Sequence, residues 1–160
     1  MSFTALEQLE KTIGFLLNDV ARLLRTRFEQ NARGLGLTRS QWQVLAYLAR
    51  NEGIQQGGLA ELLEIEPITL TRILDKLQAS GLVERRLHPR DRRVWQLHLT
   101  PEATPILEEM KRIGALTREE ALQGISDADR DRLIRVLTEM KNNLVEVLAR
   151  PSVTRRVSHG

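Results

Sequence analysis

The apolar residues of this chain keep a helical spacing on both sides of one interruption, and that interruption decides the architecture. From residue 82 to residue 99 the period drops to two. Leu82-Val83-Glu84-Arg85-Arg86 reads as extended chain, and Val94, Gln96 and His98 alternate with Trp95, Leu97 and Leu99. His88-Pro89-Arg90-Asp91 between them is a turn, so the segment is a two-stranded hairpin.

Everything around the hairpin is helical. Leu6, Leu9, Ile13, Leu16, Val20 and Leu23 are spaced 3, 4, 3, 4, 3, a narrow heptad seam on a long first helix. Gly14 costs that helix about 1 kcal/mol against Ala without stopping it, and an end is expected near residues 31–36. Thr38-Arg-Ser-Gln41 is a capping box, opening a helix with Trp42, Leu45, Leu48 and Ala49 on one face. Residues 51–58, with three glycines, read as a loop, and Leu59, Leu62 and Leu63 mark a short third helix. Pro67 suits the first turn of a fourth, with Leu70, Ile73, Leu74 and Leu77 inward and Gly81 as its stop.

After the hairpin, Thr100-Pro101 reads as a hydroxyl cap followed by proline at the first helical position. The helix carries Ala103, Leu107 and Met110, with Ile106 and Ile113 beside them. Ser126-Asp-Ala-Asp129 opens the last helix, whose Leu133, Leu137, Met140, Leu144 and Val147 are spaced 4, 3, 4, 3. The order predicts a mainly α chain, with a winged helix-turn-helix in the middle. The end helices expose seams too long for a lobe of about 65 residues to cover, so they are expected to pair with a second copy.

Composition narrows the function. At 160 residues, 41% hydrophobic and 28% charged, the chain has material for one well-cored domain. Six aromatic residues are too few for a single-strand stacking platform. The absence of cysteine excludes disulfides, thiolate metal sites and cysteine nucleophiles. The longest uncharged run, residues 40–49, is far short of a membrane span, and the first residues lack the pattern of a signal peptide. A cytoplasmic location is expected. Neither metal nor cofactor is expected: His88, His98 and His159 have no partner at ligand spacing, and no Gly-rich phosphate loop appears. Nothing suggests an enzyme.

Charge placement is more informative. Residues 84–93 read E-R-R-L-H-P-R-D-R-R and carry +3, the whole net charge of the chain. One positive loop on a neutral body suits docking to a polyanion. The fourth helix would turn Thr69, Arg72 and Lys76 outward, with Thr71 and Asp75 beside them. Short hydroxyls near a helix start, followed by arginine, fit the major groove of duplex DNA. Arg90, Arg92 and Arg93 at the wing tip can reach a narrow minor groove. Asp91 is expected to pair with Arg93 and hold its guanidinium in one pose, compatibly with an ordinary turn role.

Asp91-Arg92-Arg93-Val-Trp-Gln-Leu-His-Leu99-Thr100 resembles the wing signature Asp-x-Arg-x5-Leu-Thr of the MarR family of bacterial transcription regulators. Gly81-Leu82-Val83-Glu84-Arg85 and Leu74-Asp75-Lys76-Leu77 resemble its flanking pattern. Ala103 stands where the family commonly has glycine, a departure that, with Thr104-Pro105 and Gly124-Ile125-Ser126, resembles the SlyA branch. The resemblance implies a homodimer whose two recognition helices enter successive major grooves of a pseudo-palindromic site. It places Pro67, Ile68, Thr69, Thr71 and Arg72 at groove-reading positions and Arg92 and Arg93 on the wing. The expected division is a dimerisation helix at 1–36, a DNA-binding domain at 37–100, further dimerisation helices at 101–150 and a flexible tail at 151–160.

Many relatives also bind a small aromatic or phenolic anion. Arg22, Arg25, Arg39, Trp42 and Tyr47 could supply arginines and an aromatic wall for one, although a core Trp42, with Arg22 and Arg25 on a solvated face or in an intersubunit ion pair, is the simpler account of these residues. The leading expectation is a repressor released by such a ligand. The alternatives are a constitutive antagonist of chromosome-organising proteins and a winged-helix protein-interaction module.

Overall fold

A computed structural model describes Gln8 and residues 12–151. The chain divides between Glu119 and Glu120 into two compact units. The first contains α1 (Ile13–Asn31), α2 (Arg39–Arg50), α3 (Gln56–Leu63), α4 (Pro67–Ala79), β1 (Val83–Leu87), β2 (Trp95–Leu99) and most of α5 (Thr104–Ala121). The second holds the end of α5 and α6 (Asp127–Leu148). Mainly helical, with one two-stranded antiparallel sheet, the fold is a winged helix-turn-helix. No helix among the described residues is long and apolar enough to cross a membrane.

Local sequence rules account for most boundaries. At α2 the capping box is closed both ways: Thr38 Oγ1 accepts from the Gln41 amide at 3.2 Å, and the Thr38 amide donates to Gln41 Oε1 at 3.0 Å. Pro67 occupies the first turn of α4, where its missing N–H is not needed. Gly81, at φ 74°, turns the chain from α4 into β1, a conformation that side-chain-bearing residues rarely adopt.

Leu45, Leu48, Leu59, Leu70, Leu74, Leu77, Val83 and Leu97 are fully buried, joining α2, α3, α4 and the hairpin into one core. That core fixes where α4 and the wing stand relative to each other. Strand register pairs Val83 with Leu99, Arg85 with Leu97 and Leu87 with Trp95.

Four expectations are corrected. The glycine-rich segment 51–58 is not all loop, because α3 begins at Gln56 and takes in Gly57 and Gly58. A Cβ on Gly58 would lie 3.3 Å from Ile54 Cγ1, so the glycine admits Ile54. Burial of Leu59 and Ala60 outweighs the poor helix propensity of the two glycines. On α2 the buried stripe is Trp42, Val44, Leu45 and Leu48, and Ala49 is exposed, since α3, α4 and β2 all pack on the Leu45 side. Ile73 is only half-buried at the edge of the core.

The fourth correction is the Thr100 hydroxyl. It caps no helix; a short 3-10 turn, Pro101–Ala103, precedes α5, and the hydroxyl donates to the Gly81 carbonyl. The Gly81 turn brings that carbonyl within reach, and the Thr100 amide donates to Leu82 O at 3.1 Å beside it.

Much of the two heptad seams is uncovered in the single chain. Ile13, Leu16, Val20 and Leu23 on α1 are exposed, as are Leu133, Leu144 and Val147 on α6, whereas Leu137 and Met140 are half-buried. Leu6 and Leu9 lie outside the described residues, as does the expected tail beyond Pro151.

Candidate nucleic-acid interface

Helix α4 presents an outer face that the core cannot use. With Leu70, Leu74 and Leu77 buried, the geometry leaves Pro67, Ile68, Thr69, Arg72 and Lys76 exposed, Ile68 at 63%. No side chain caps the start of α4: Glu66 at the cap makes no bond to its amides. The first turn therefore offers unsatisfied N–H groups and the positive end of the helix dipole to an anion.

Thr71 is placed differently from Thr69. Half-buried, its Oγ1 donates to Pro67 O at 3.0 Å and accepts from Gln56 Nε2 at 2.6 Å, tying α4 to the start of α3. Its hydroxyl is thus engaged within the protein on both its donor and its acceptor side. Gln56 was not singled out in the sequence, because its role depends on a neighbour fifteen positions away.

The hairpin is fastened to the same helix by Arg85. Its guanidinium donates to Asp75 Oδ1 at 2.9 Å and to Gln78 Oε1. Arg85 is thus a brace rather than part of a positive tip. Its alternation with Val83 and Leu87 was the available signal, since it places the side chain on the core-facing side of β1. Arg86 is paired with Glu84.

The wing turn is built around two acceptors. The Asp91 carboxylate accepts from Arg93 three times: from its amide at 3.1 Å, from Nε at 3.1 Å and from Nη2 at 3.4 Å. The expected Asp91–Arg93 pair is present, and the Arg93 side chain is still 91% exposed. The side-chain bond from Arg93, and then its amide, hold the Asp91 carboxyl below the usual carboxylate range. A carboxyl held down this way keeps its pair at neutral pH and loses it only as the pH falls through that lowered range.

The second acceptor is His88, whose Nδ1 accepts from the amides of Arg90 and Asp91, both at 3.1 Å. This requires an unprotonated Nδ1. Arg90 and Arg92, both exposed, have no carboxylate partner among the described residues. The net positive field of the wing therefore comes chiefly from these two.

A separate set of expected residues surrounds a cavity. Arg25, Arg39, Trp42 and Tyr47 line about 620 Å³ together with Leu62 and Leu63. Arg22 does not line it and pairs instead with Asp19 at 3.2 Å. Arg39 lies 3.7 Å from Glu29. Trp42 is a wall of the core, 8% exposed and 4.4 Å from Phe28 between ring centroids, yet its Nε1 is buried with no hydrogen-bond partner among the described residues. On its other side Phe28, Trp42, Leu107, Met110, Lys111 and Arg118 line a more apolar cavity of about 610 Å³. The spacing on α5 gave Leu107 and Met110 as seam residues, but not that they face Trp42.

The MarR family model matches residues 35–94, from just before α2 to just before β2. The solved transcriptional regulator PA3341 is 33% identical, with a TM-score of 0.73, over 84% of this chain and 99% of that one. A MarR transcriptional regulator from Methanosarcina mazei Go1 is 26% identical at TM-score 0.73, covering 84% of this chain and 97% of its own. The transcriptional regulator SlyA is 25% identical at TM-score 0.69, covering 85% and 96%. These similarities are of one order and do not set the SlyA branch apart. A transcription regulator, not an enzyme, is what these relatives describe. The exposed α4 stripe, the Arg85 brace and the Asp91–Arg93 wing sit inside a fold shared over nearly its whole length, and the chain belongs to the MarR family of transcription regulators.

Proposed function

We propose that the chain acts as a homodimer on double-stranded DNA, as a sequence-specific repressor released by a small aromatic or phenolic anion. The observation that carries the DNA reading is the pairing of two exposed cationic elements on one rigid core. Thr69, Arg72 and Lys76 stand on α4, and Arg85 locks that helix to a wing whose Arg90 and Arg92 have no carboxylate partner among the described residues. In this reading α4 enters the major groove and the wing tip the adjacent minor groove. Pro67 and Ile68 would contribute apolar contact, for example to a thymine methyl.

Enrichment of bound duplexes from a randomised pool tests this. The expected product is a pseudo-palindrome with half-sites one helical turn apart, about 10–10.5 base pairs centre to centre. A pool that stays random after repeated selection would remove sequence-specific recognition.

The ligand reading draws on the cavity beside Trp42. Arg25 and Arg39 can meet a carboxylate, the rings of Trp42 and Tyr47 can flank an aromatic body, and the Trp42 Nε1–H lacks an acceptor among the described residues. Such a ligand shifts DNA binding only by its differential affinity for the binding-competent arrangement, about 5.5 kcal/mol for a complete switch.

His88 yields a sharper expectation. His88→Ala removes the acceptor for two wing amides and weakens duplex binding roughly tenfold, the worth of one to two hydrogen bonds. His88→Asn, whose side-chain oxygen can accept amides in an Asx-type turn, recovers most of it. Fluorescence anisotropy of a labelled duplex measures both. Equal loss in the two variants would mean that the imidazole does something other than cap the turn.

A further inference from the structure

Trp95 is the one tryptophan of the hairpin, and it is 53% exposed, whereas Trp42 is 8% exposed. Its position follows from the register. Val83 faces Leu99, Arg85 faces Leu97 and Leu87 faces Trp95, so these six side chains share one face. Val83, at the inner end, and Leu97, opposite Arg85, are buried in the core. In the middle Arg85 reaches across to Asp75 and Gln78, so this is the face turned toward α4. Beyond Arg85 it continues outward as Leu87 and Trp95, both uncovered.

The pair therefore lies between α4 and the turn that carries Arg90 and Arg92. With α4 in one groove and the wing tip in the next, what separates them on a duplex is the sugar-phosphate backbone. A single exposed apolar residue needs no explanation. Here, however, two of them sit inside residues 86–95, which hold four arginines against Asp91 and carry a net charge of +3. A second copy of that segment would be repelled, and a polyanion attracted.

We propose that Trp95 is a further DNA-contact residue, which neither the wing signature nor the arginine count marks. Its ring lies against the deoxyriboses of the backbone strand between the two grooves, and its Nε1–H donates to a phosphate oxygen, with Leu87 completing the apolar contact. An indole is suited to this position because one edge is a donor and the rest is apolar. The contact is independent of sequence, and it rests on the DNA-binding reading above.

The two tryptophans make it measurable. Acrylamide, a neutral quencher that the charge of DNA does not exclude, reads Trp95 in the native chain; Trp95→Phe leaves only buried Trp42 as the baseline. The probe is a random-sequence duplex of about 30 base pairs, room for two half-sites, at low salt. Saturation with duplex is expected to lower the quenching of the native protein several-fold and to leave that of Trp95→Phe unchanged. Trp95→Ala is expected to weaken duplex binding roughly tenfold, as loss of a hydrogen bond to a charged group does, at an unchanged melting temperature. Trp95→Phe, which keeps apolar contact but loses the donor, should fall between.

Duplex that binds by anisotropy while leaving the quenching of Trp95 untouched would overturn this contact and leave DNA binding standing. Absence of any anisotropy change would overturn both. Shielding that grows with protein concentration alone would assign the face to a second copy and overturn the proposal.

Discussion

Leu16→Glu on α1, and separately Leu144→Glu on α6, are expected to turn the proposed dimer into monomers. Leu16 is 51% and Leu144 59% exposed in the single chain, so a carboxylate at either place stays hydrated and the fold of one subunit survives. In the proposed dimer the same side chains lie in a buried seam. An unpaired charge there costs several kcal/mol, which raises the dimer dissociation constant by at least roughly a hundredfold. Sedimentation across a range of concentrations reads this directly. Circular dichroism should show the helices intact, which separates loss of pairing from unfolding. Duplex affinity should fall with dimer content, since two half-sites are then no longer bound by one molecule. Variants that still sediment as dimers at micromolar concentration would place the interface elsewhere.

How much of this could be read from the residues depended on distance along the chain. The capping box at Thr38 and Gln41, the proline start of α4, the Gly81 stop and the Asp91–Arg93 pair are all settled within a few residues, and each stands as expected. The exposed α4 stripe follows from helical period once one face is known to be buried. What escaped were contacts that only the folded core creates. The Thr100 hydroxyl was expected to cap a helix, and it goes to Gly81, nineteen positions back. Two glycines read as loop are helical because the core holds the residues beside them. Arg85 was read as a strand residue within the positive segment 84–93 and works as a brace, because its partners are on another element. The cavity is the same case: Arg25, Arg39, Trp42 and Tyr47 line it, and Arg22 does not, its guanidinium meeting Asp19 one turn away on the exposed side of α1.

The sharpest division within the interface lies between Arg72 and Arg92. Arg72→Ala should weaken binding to the selected duplex by about 10- to 100-fold, the 1–3 kcal/mol of one base-reading arginine, and relax preference at one base step. A random-sequence duplex should hardly notice the change. Arg92→Ala should weaken selected and random duplexes alike and make the log–log salt slope shallower by about 0.9, the share of one neutralised phosphate. The contrast follows from where the two guanidiniums stand. Arg72 projects from a helix whose Leu70 and Leu74 are pinned in the core, so its reach is fixed relative to the bases. Arg92 sits exposed in a turn between two strands with no carboxylate partner among the described residues, so in the proposed complex it would act as a charge near phosphate. Affinity titrations at three salt concentrations on both duplexes separate the roles. Should Arg72→Ala lower both affinities equally, α4 would be a clamp on the backbone, and the reading of sequence would have to come from the apolar contacts of Pro67 and Ile68 or from the shape of the DNA.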